Sequence, residues 1–342
     1  MTPEEEQSLI DAVVPYIEGP NRDLKIQILS EFAKTIQAPL DRLDLKMIAS
    51  ATRELRTAFS VFSPHRRLRK VTIFGSARTP PSDPSYELTY KLAAGLAARE
   101  WMVITGGGPG IMDAGVRGAS PNNAFGINIK LPFEQLPSDA LINNPYLIEM
   151  KYFFTRKVLM IKESDAFVAL PGGMGTLDET FELLTLLQTG KAQPAPVVLL
   201  DPPGTGYWEA FEEFLRRTTL SRGLISEIDL NIYRRSTSIA TTIEEITGFY
   251  RNFDSIRVVG RQLIIRLRTA PSPARLAALS ADFADILNEG AIAAVPATPW
   301  EVREQDRLDL ERVALAFDNR SFGRLRQLID ALNADATVPD RD

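Results

Sequence analysis

Apolar positions change their period along the chain. Through residue 62 they recur at three- to four-residue spacing: Ile10, Val13, Val14 and Ile17, then Ile26, Ile28, Leu29 and Phe32, then Leu45, Ile48, Leu55, Phe59 and Phe62. That spacing lines one face of a helix, and Gly19-Pro20 and Ala38-Pro39 punctuate the segments. From Lys70 short apolar runs alternate with amphipathic stretches. Strands are expected at Val71–Phe74, Met102–Thr105, Ala124–Ile129, Ala166–Leu170 and Val197–Leu200, with helices over 85–99, 110–119, 152–164, 176–189 and 207–217. This alternation predicts βαβ units, hence an α/β fold with a doubly wound parallel sheet, Rossmann-like, over residues 66–253. Residues 254–335 read as a small βαββα unit. Its parts are a strand-like run Ile256–Leu267, a helix near 272–288, apolar segments at 291–296 and 308–317, and a helix near 321–333. Residues 1–65 form a helical N-terminal extension, and 336–342 a tail expected to be disordered.

Composition narrows the chemistry. Of 342 residues, 44% are hydrophobic and 24% charged, the balance of a folded globular chain. Lys and Arg number 39 against 44 Asp and Glu, and the resulting charge of −5 argues against a general nucleic-acid binder. The local basic run His65-Arg66-Arg67-Leu68-Arg69-Lys70 is expected to be a solvated interdomain joint. Cysteine is absent, which removes disulfides, thiolate nucleophiles and Cys-ligated metal sites. The lone His65, expected to be an ordinary exposed side chain, leaves no imidazole set for a catalytic triad or a zinc hydrolase. No metal and no organic cofactor is expected. The acidic start Met1-Thr2-Pro3-Glu4-Glu5-Glu6 lacks a signal-peptide pattern, and no uncharged run approaches the roughly 20 apolar residues of a membrane span. A cytoplasmic protein without membrane or nucleic-acid partners is expected.

Three predicted strands end in turns of small residues: Gly75-Ser76-Ala77, Gly106-Gly107-Gly108-Pro109-Gly110 and Pro171-Gly172-Gly173-Met174-Gly175-Thr176. In an open α/β sheet such loops meet beyond the carboxyl ends of the strands, where ligands bind. Glycine lets a backbone approach a ligand closely, and the helix that follows offers free N–H groups to an anion. Two dense clusters in one sheet predict a phosphate or other anion site. Ile111 stands where the third glycine of G-x-G-x-x-G belongs and no G-x-x-x-x-G-K-[ST] occurs, so a dinucleotide fold or P-loop is disfavoured.

At these residues the chain resembles the LOG ("lonely guy") family of nucleoside 5′-monophosphate phosphoribohydrolases, long mislabelled as lysine decarboxylases. Pro171-Gly172-Gly173-Met174-Gly175-Thr176-Leu177-Asp178-Glu179 fits the family's PGGxGTxxE signature, and Gly106-Gly107-Gly108-Pro109-Gly110-Ile111-Met112 its GGGxxGxM loop. Arg156-Lys157 fits the RK pair, and Gly75-Ser76-Ala77-Arg78 resembles the first phosphate-side loop. The resemblance covers about residues 70–250. Short plant-type members lack counterparts of residues 1–65 and 255–342, so the chain looks like a longer bacterial type. Met150-Lys151-Tyr152-Phe153-Phe154-Thr155 precedes the RK pair where short members have Met-His-x, so the resemblance does not imply their base preference.

The resemblance implies that Arg156 and Glu179 are catalytic. It also implies that Gly75, Ser76, Gly107, Gly108, Gly110, Lys157, Gly172, Gly173, Met174, Gly175 and Thr176 bind substrate and its phosphate. Cleaving an N-glycosidic bond passes through an oxocarbenium-like sugar, which a nearby carboxylate stabilises while orienting water; a guanidinium fork steadies oxygens and the leaving base. Plainer readings exist for both residues. Thr176-Leu177-Asp178-Glu179 also spells a capping box, and Arg156 could pair at the surface with Glu149 or Glu163. Glu182 shares the helical face of Glu179 and either assists or faces solvent. A pyridoxal-phosphate decarboxylase would need Lys157 or Lys162 as Schiff base, without a recognisable partner pattern. The alternative to an enzyme is a non-catalytic nucleotide-binding or carrier protein on the same fold. A homo-oligomer, dimer or higher, is expected, with Phe181, Leu184 and Leu187 near the subunit contact or in the core.

Overall fold

The computed structural model describes residues 8, 11–17, 19, 21–130 and 137–334. The expected tail 336–342 and the apolar position Ile10 lie outside them. Contacts divide the chain into one unit up to Arg56 and a second from Thr57 onward.

In the first unit Val14–Tyr16 form a 3-10 turn, and helix α1 (Arg22–Gln37) follows. Its Leu24, Ile28, Phe32 and Ile36, spaced by four, all remain exposed, while Ala33 is buried. Helix α2 (Arg42–Phe62) spans the boundary between the units.

The second unit is built on a seven-stranded sheet: β1 (Lys70–Phe74), β2 (Met102–Thr105), β3 (Ala124–Ile129), β4 (Leu147–Met150), β5 (Ala166–Ala169), β6 (Val197–Leu200) and β7 (Arg234–Ser236), in the order β4-β3-β2-β1-β5-β6-β7. Every pairing is parallel. The five central strands are buried along their whole length, which is why their sequences are mostly apolar, with Lys70, Thr72, Thr105 and Asn128 the polar residues among them. The two edge strands were not expected. Arg-Arg-Ser in β7 carries no strand pattern, and β4 buries only alternate residues. Helices α3 (Pro84–Ala97), α4 (Ile111–Ala119), α5 (Phe153–Lys162), α6 (Met174–Gln188), α7 (Tyr207–Phe214) and α8 (Ile239–Gly248) connect the strands. Asp83 accepts the Ser85 N–H at the start of α3, and Leu215–Thr219 extend α7 as a π-helical turn. The chain leaves β1 toward β2, β3 and β4, then returns to the other side for β5. The topological switch point therefore lies between β1 and β5.

Beyond α8, the expected single strand Ile256–Leu267 is a hairpin of β8 (Phe253–Val259) and β9 (Gln262–Leu267), because Gly260 turns the chain at φ +60°. Helix α9 (Pro273–Asp282), β10 (Ala293–Ala294), α10 (Pro299–Glu304), β11 (Glu311–Leu315) and α11 (Phe322–Asn333) complete an antiparallel sheet of order β10-β11-β9-β8 with its helices. The βαββα expectation thus missed one strand and one helix. Both sheets feed one apolar cluster, in which Val71, Val168 and Leu200 are joined with Leu263, Ile265, Val313 and Leu315. Glu301, fully buried in α10, accepts hydrogen bonds from Arg266 and Arg312 and from Thr298. Burial opposes its ionisation, yet these donors prevail and bring its pKa down to about 2.

Two expectations about the basic run are corrected. His65 is half-buried, edge-on to Phe125 and Tyr146 at centroid distances of 5.4 and 5.1 Å, with its pKa lowered first by burial and then by Lys70. Arg69 bonds Asp165 at 2.5 Å and lies 3.8 Å over the Tyr250 ring, and Lys70 is 3% exposed. Arg66 and Arg67 alone behave as the solvated joint envisaged. Among the described residues no helix is long and apolar enough to cross a membrane.

Candidate active site

The three glycine loops leave the carboxyl ends of β1, β2 and β5, so two of them flank the switch point and the third adjoins it. The first two are stitched together. Ile111, the first residue of α4, donates its N–H to Ser76 O at 3.0 Å, and Gly107 donates to Thr105 Oγ1 at 3.1 Å. Gly110 adopts φ +68° with its Cα so close to Ser76 that a Cβ would fall 2.4 Å from the Ser76 carbonyl oxygen. Gly107, Gly108 and Gly110 are buried in this junction, while Gly75 and Ser76 are half-buried.

The third loop is different. Helix α6 begins at Met174, two residues earlier than expected, with Gly173 as an N-cap that has no side chain to offer. The first intrahelical bond is Leu177 N–H to Gly173 O, so the N–H groups of Met174, Gly175 and Thr176 have no carbonyl of their own helix to bond. Gly173, Met174 and Gly175 are exposed, and a Cβ at Gly173 or Gly175 would meet nothing within 4 Å. Gly172 is enclosed, since a Cβ there would sit 2.1 Å from Thr176 Oγ1, and its carbonyl accepts from Tyr207 Oη at 2.7 Å. The loop is therefore held from below and open above.

Arg156, in the first turn of α5, and Glu179, one turn into α6, meet across the helices: Arg156 Nη1 donates to Glu179 Oε1 at 3.1 Å. Their side chains are 12% and 7% exposed. Arg156 Nε also donates to Ile127 O at the end of β3, at 2.9 Å, which fixes the guanidinium plane. Glu179 Oε2 is buried and has no hydrogen-bond partner. Burial pushes the Glu179 carboxyl above its usual range in spite of Arg156 and Lys157, and lowers Arg156 against the pull of Glu179. A desolvated, half-partnered carboxylate held by a guanidinium is poised to accept a proton or to face a developing positive charge.

The plainer readings of both residues fail. Thr176 is the third residue inside α6 and not its cap, so no capping box forms around Glu179. Glu149 pairs with Lys130 and Glu163 with Lys162, leaving neither for Arg156. Lys157, expected among the phosphate ligands, lies instead between Asp178 at 2.8 Å and Glu182 at 2.5 Å. Burial lowers its pKa, and the hydrogen bonds that Lys157 donates to those two carboxylates outweigh it and leave the pKa raised. Glu182, with a third of its side chain exposed, pairs with Lys157. One residue escaped the sequence reading: a Cβ on Gly106 would fall 2.3 Å from Arg156 Nη2, so this glycine makes room for the guanidinium. Its signal was the first glycine of the GGG run, overshadowed by the three that follow. Among the described residues no cluster of three or more His, Asp or Glu is arranged to hold a metal.

A doubly wound α/β sheet with an open helix N-terminus and a buried Arg–Glu pair at its switch point defines the structural class, a Rossmann-like protein with an anion-type crevice. Residues 102–246 match the family model described as "Possible lysine decarboxylase". The cytokinin riboside 5′-monophosphate phosphoribohydrolase of Mycobacterium tuberculosis is 32% identical over 130 residues, 37% of this chain and 68% of that protein. The cytokinin riboside 5′-monophosphate phosphoribohydrolase LOG7 of Arabidopsis thaliana is 25% identical over 194 residues, 56% of this chain and 86% of that one. The molybdenum cofactor binding protein of Rippkaea orientalis superposes with a TM-score of 0.38 at 23% identity, covering 52% of this chain and 94% of that one. The chain belongs to the LOG family of phosphoribohydrolases.

Proposed function

We propose that the protein hydrolyses the N-glycosidic bond of a nucleoside 5′-monophosphate, giving free base and ribose 5-phosphate. The observation that carries this reading is the Arg156–Glu179 pair with its unpartnered Glu179 Oε2, on the helix whose open N-terminus suits a phosphate. From Met174 to Glu179 the helix rises about 7.5 Å, the scale of a ribose 5-phosphate. A phosphate at the Gly173–Thr176 N–H groups then brings the anomeric carbon toward Glu179. As the bond to the base lengthens, positive charge grows on the sugar; the Glu179 carboxylate stabilises it and takes a proton from the attacking water, and that proton ends on the departing base, which leaves neutral as water's oxygen bonds to the anomeric carbon. Arg156, fixed by Ile127 O, holds Glu179 ionised and offers its remaining N–H groups to substrate oxygens. A protein that only carried a nucleotide gains nothing from a desolvated carboxylate. A lysine Schiff base is disfavoured because Lys157 and Lys162 both sit in ion pairs.

The protein is proposed to act as a homo-oligomer. Phe181 on α6 and Phe153, Phe154 and Val158 on α5 are each at least 42% exposed, an apolar surface beside the site, whereas Leu187 is buried in the core. Light scattering at micromolar concentration tests this, and a monomer refutes it. For the reaction, AMP, GMP, CMP and UMP are incubated with the protein, with and without EDTA, and the bases resolved by chromatography. Base release from at least one of them, with ribose 5-phosphate in equal amount and no loss with EDTA, is the expected result. No release from any of these or from a cytokinin ribotide overturns the hydrolase reading.

A further inference from the structure

The chain carries a charge of −5, yet at the end of the sheet away from the glycine loops lies a cavity of about 700 Å³ into which several basic side chains are gathered. The floor comes from residues that lead into β1, β5 and β6, such as Arg69, Asp165 and Ala195. Five basic side chains and three carboxylates line it, and Arg266 is also paired with Glu301 and Asp306 and Lys162 with Glu163 behind the wall. Arg69 is held by Asp165 and Tyr250, and Arg307 by Asp254. Lys162 pairs with Glu163 at 2.5 Å but its side chain stays half-exposed, and Lys191 is exposed and has no ion pair among the described residues. Phe167, Phe253 and Leu186 supply apolar wall between these charges. Cations, an aromatic edge and a volume well above that of a bare phosphate suit an organic anion of nucleotide size.

The cavity also touches the catalytic helices. Val158, Ile161 and Lys162 of α5 and Glu182 and Leu186 of α6 form one side, one turn beyond Arg156 and Glu179. Glu182 belongs to both places: it lines the cavity and holds Lys157 Nζ at 2.5 Å, while Lys157 also bonds Asp178. Lys157 and Asp178 are the chain neighbours of Arg156 and Glu179. We propose that this cavity is a binding site for a phosphate-bearing organic anion, and that its occupancy is transmitted to the Arg156–Glu179 pair through the Glu182–Lys157–Asp178 bridge. A negative ligand at Lys162 and Lys191 places like charge beside Glu182 and so changes how the two helices are clamped. The binding claim stands on the cavity alone, whereas the transmission claim rests on the hydrolase reading.

ATP serves as probe, with the full-length protein and a Lys162→Ala/Lys191→Glu variant. Isothermal titration is expected to show ATP binding below about 1 mM in the wild type and at least tenfold weaker in the variant. The variant keeps its ATP-free rate on AMP, and ATP changes the wild-type kcat by about twofold or more but not that of the variant. Glu182→Gln is expected to bind ATP while losing the kcat response. Equal ATP affinity in wild type and double variant overturns the site, as does no ATP binding by the wild type up to about 1 mM. Binding that the double variant loses, with a wild-type kcat indifferent to ATP, overturns the transmission. Should AMP prove not to be a substrate, the titration still decides the binding claim by itself.

Discussion

Gly106→Ala places one methyl group against the guanidinium on which the proposed chemistry depends. The new Cβ would stand 2.3 Å from Arg156 Nη2 and 2.5 Å from Met112 Sδ. The Met112 thioether is flexible and moves aside, but Arg156 is tied to Ile127 O at 2.9 Å and to Glu179 at 3.1 Å. To restore ordinary contact the guanidinium must withdraw by about 1 Å, and misplacement of that size in a positioned group is worth about 10²-fold in rate, or about 2.7 kcal/mol of transition-state free energy. Gly106 does not have a positive φ, so the backbone tolerates alanine, and overpacking lowers stability by about 1–3 kcal/mol. The assay is initial-rate release of base from the best monophosphate, well below the melting temperature, with kcat and KM separated. A fall in kcat of about 10²-fold is expected, with KM changed by less than about threefold. Adding Met112→Ala is not expected to rescue, because the clash with Arg156 remains. A Gly106→Ala protein that is folded and turns over at the wild-type kcat refutes the view that the placement of Arg156 carries catalysis.

Glu179→Gln is expected to lower kcat by about 10²-fold or more at nearly unchanged melting temperature. Because burial raises the Glu179 pKa, the acid limb of kcat should lie above the ordinary 4.5 and vanish in Glu179→Gln, while folding stability falls as pH rises from 4.5 through the raised value; a limb that persists in the variant belongs to another group. Gly173→Ala, whose Cβ meets nothing within 4 Å, should leave the urea midpoint unchanged and raise KM for the monophosphate, and an unchanged KM removes this loop from the phosphate site. Lys157→Met should reduce kcat by about tenfold with KM nearly constant, whereas a rise in KM alone would return Lys157 to phosphate binding. Glu301→Gln leaves the buried Arg312 without its carboxylate and Arg266 with Asp306 alone, and should lower unfolding free energy by about 3–5 kcal/mol in urea titrations. The depressed pKa of Glu301 means that its contribution is present above pH 4.5 and is lost toward pH 2.

The five central strands and the helices between them were legible because burial on both faces forces predominantly apolar runs such as Val197–Leu200 and Ala166–Ala169, and covering helices must be amphipathic. The glycine loops were equally legible, since the chain can leave a strand and open a helix in so few residues only with small side chains. Edge strands β4 and β7 were not legible. An edge buries little, so Arg234-Arg235-Ser236 becomes a strand only because β6 offers it hydrogen-bond partners. The hairpin at Gly260 was hidden inside a run that looks continuous until a partner strand, β11, fixes its register.

The sequence singled out Arg156 and Glu179 as candidates, but not the contact between them. Arg156 and Glu179 lie 23 positions apart on different helices, and their 3.1 Å contact, their burial and the orphaned Glu179 oxygen arise when α5 packs beside α6. The family resemblance puts Lys157 at the phosphate; that it pairs with Asp178 and Glu182 was not legible, because a helix turns about 100° per residue and adjacent positions point to different neighbours. Thr176-Leu177-Asp178-Glu179 spelled a capping box, and whether it caps depends on where the helix begins; the bare N-cap at Gly173 moved that start upstream. The sequence by itself determined which segments are buried and where small residues let a strand turn into a helix, because both are local demands on side-chain size and polarity. Which charges face one another was decided by tertiary packing alone, since an ion pair costs about nothing to form or break until burial removes the competing water.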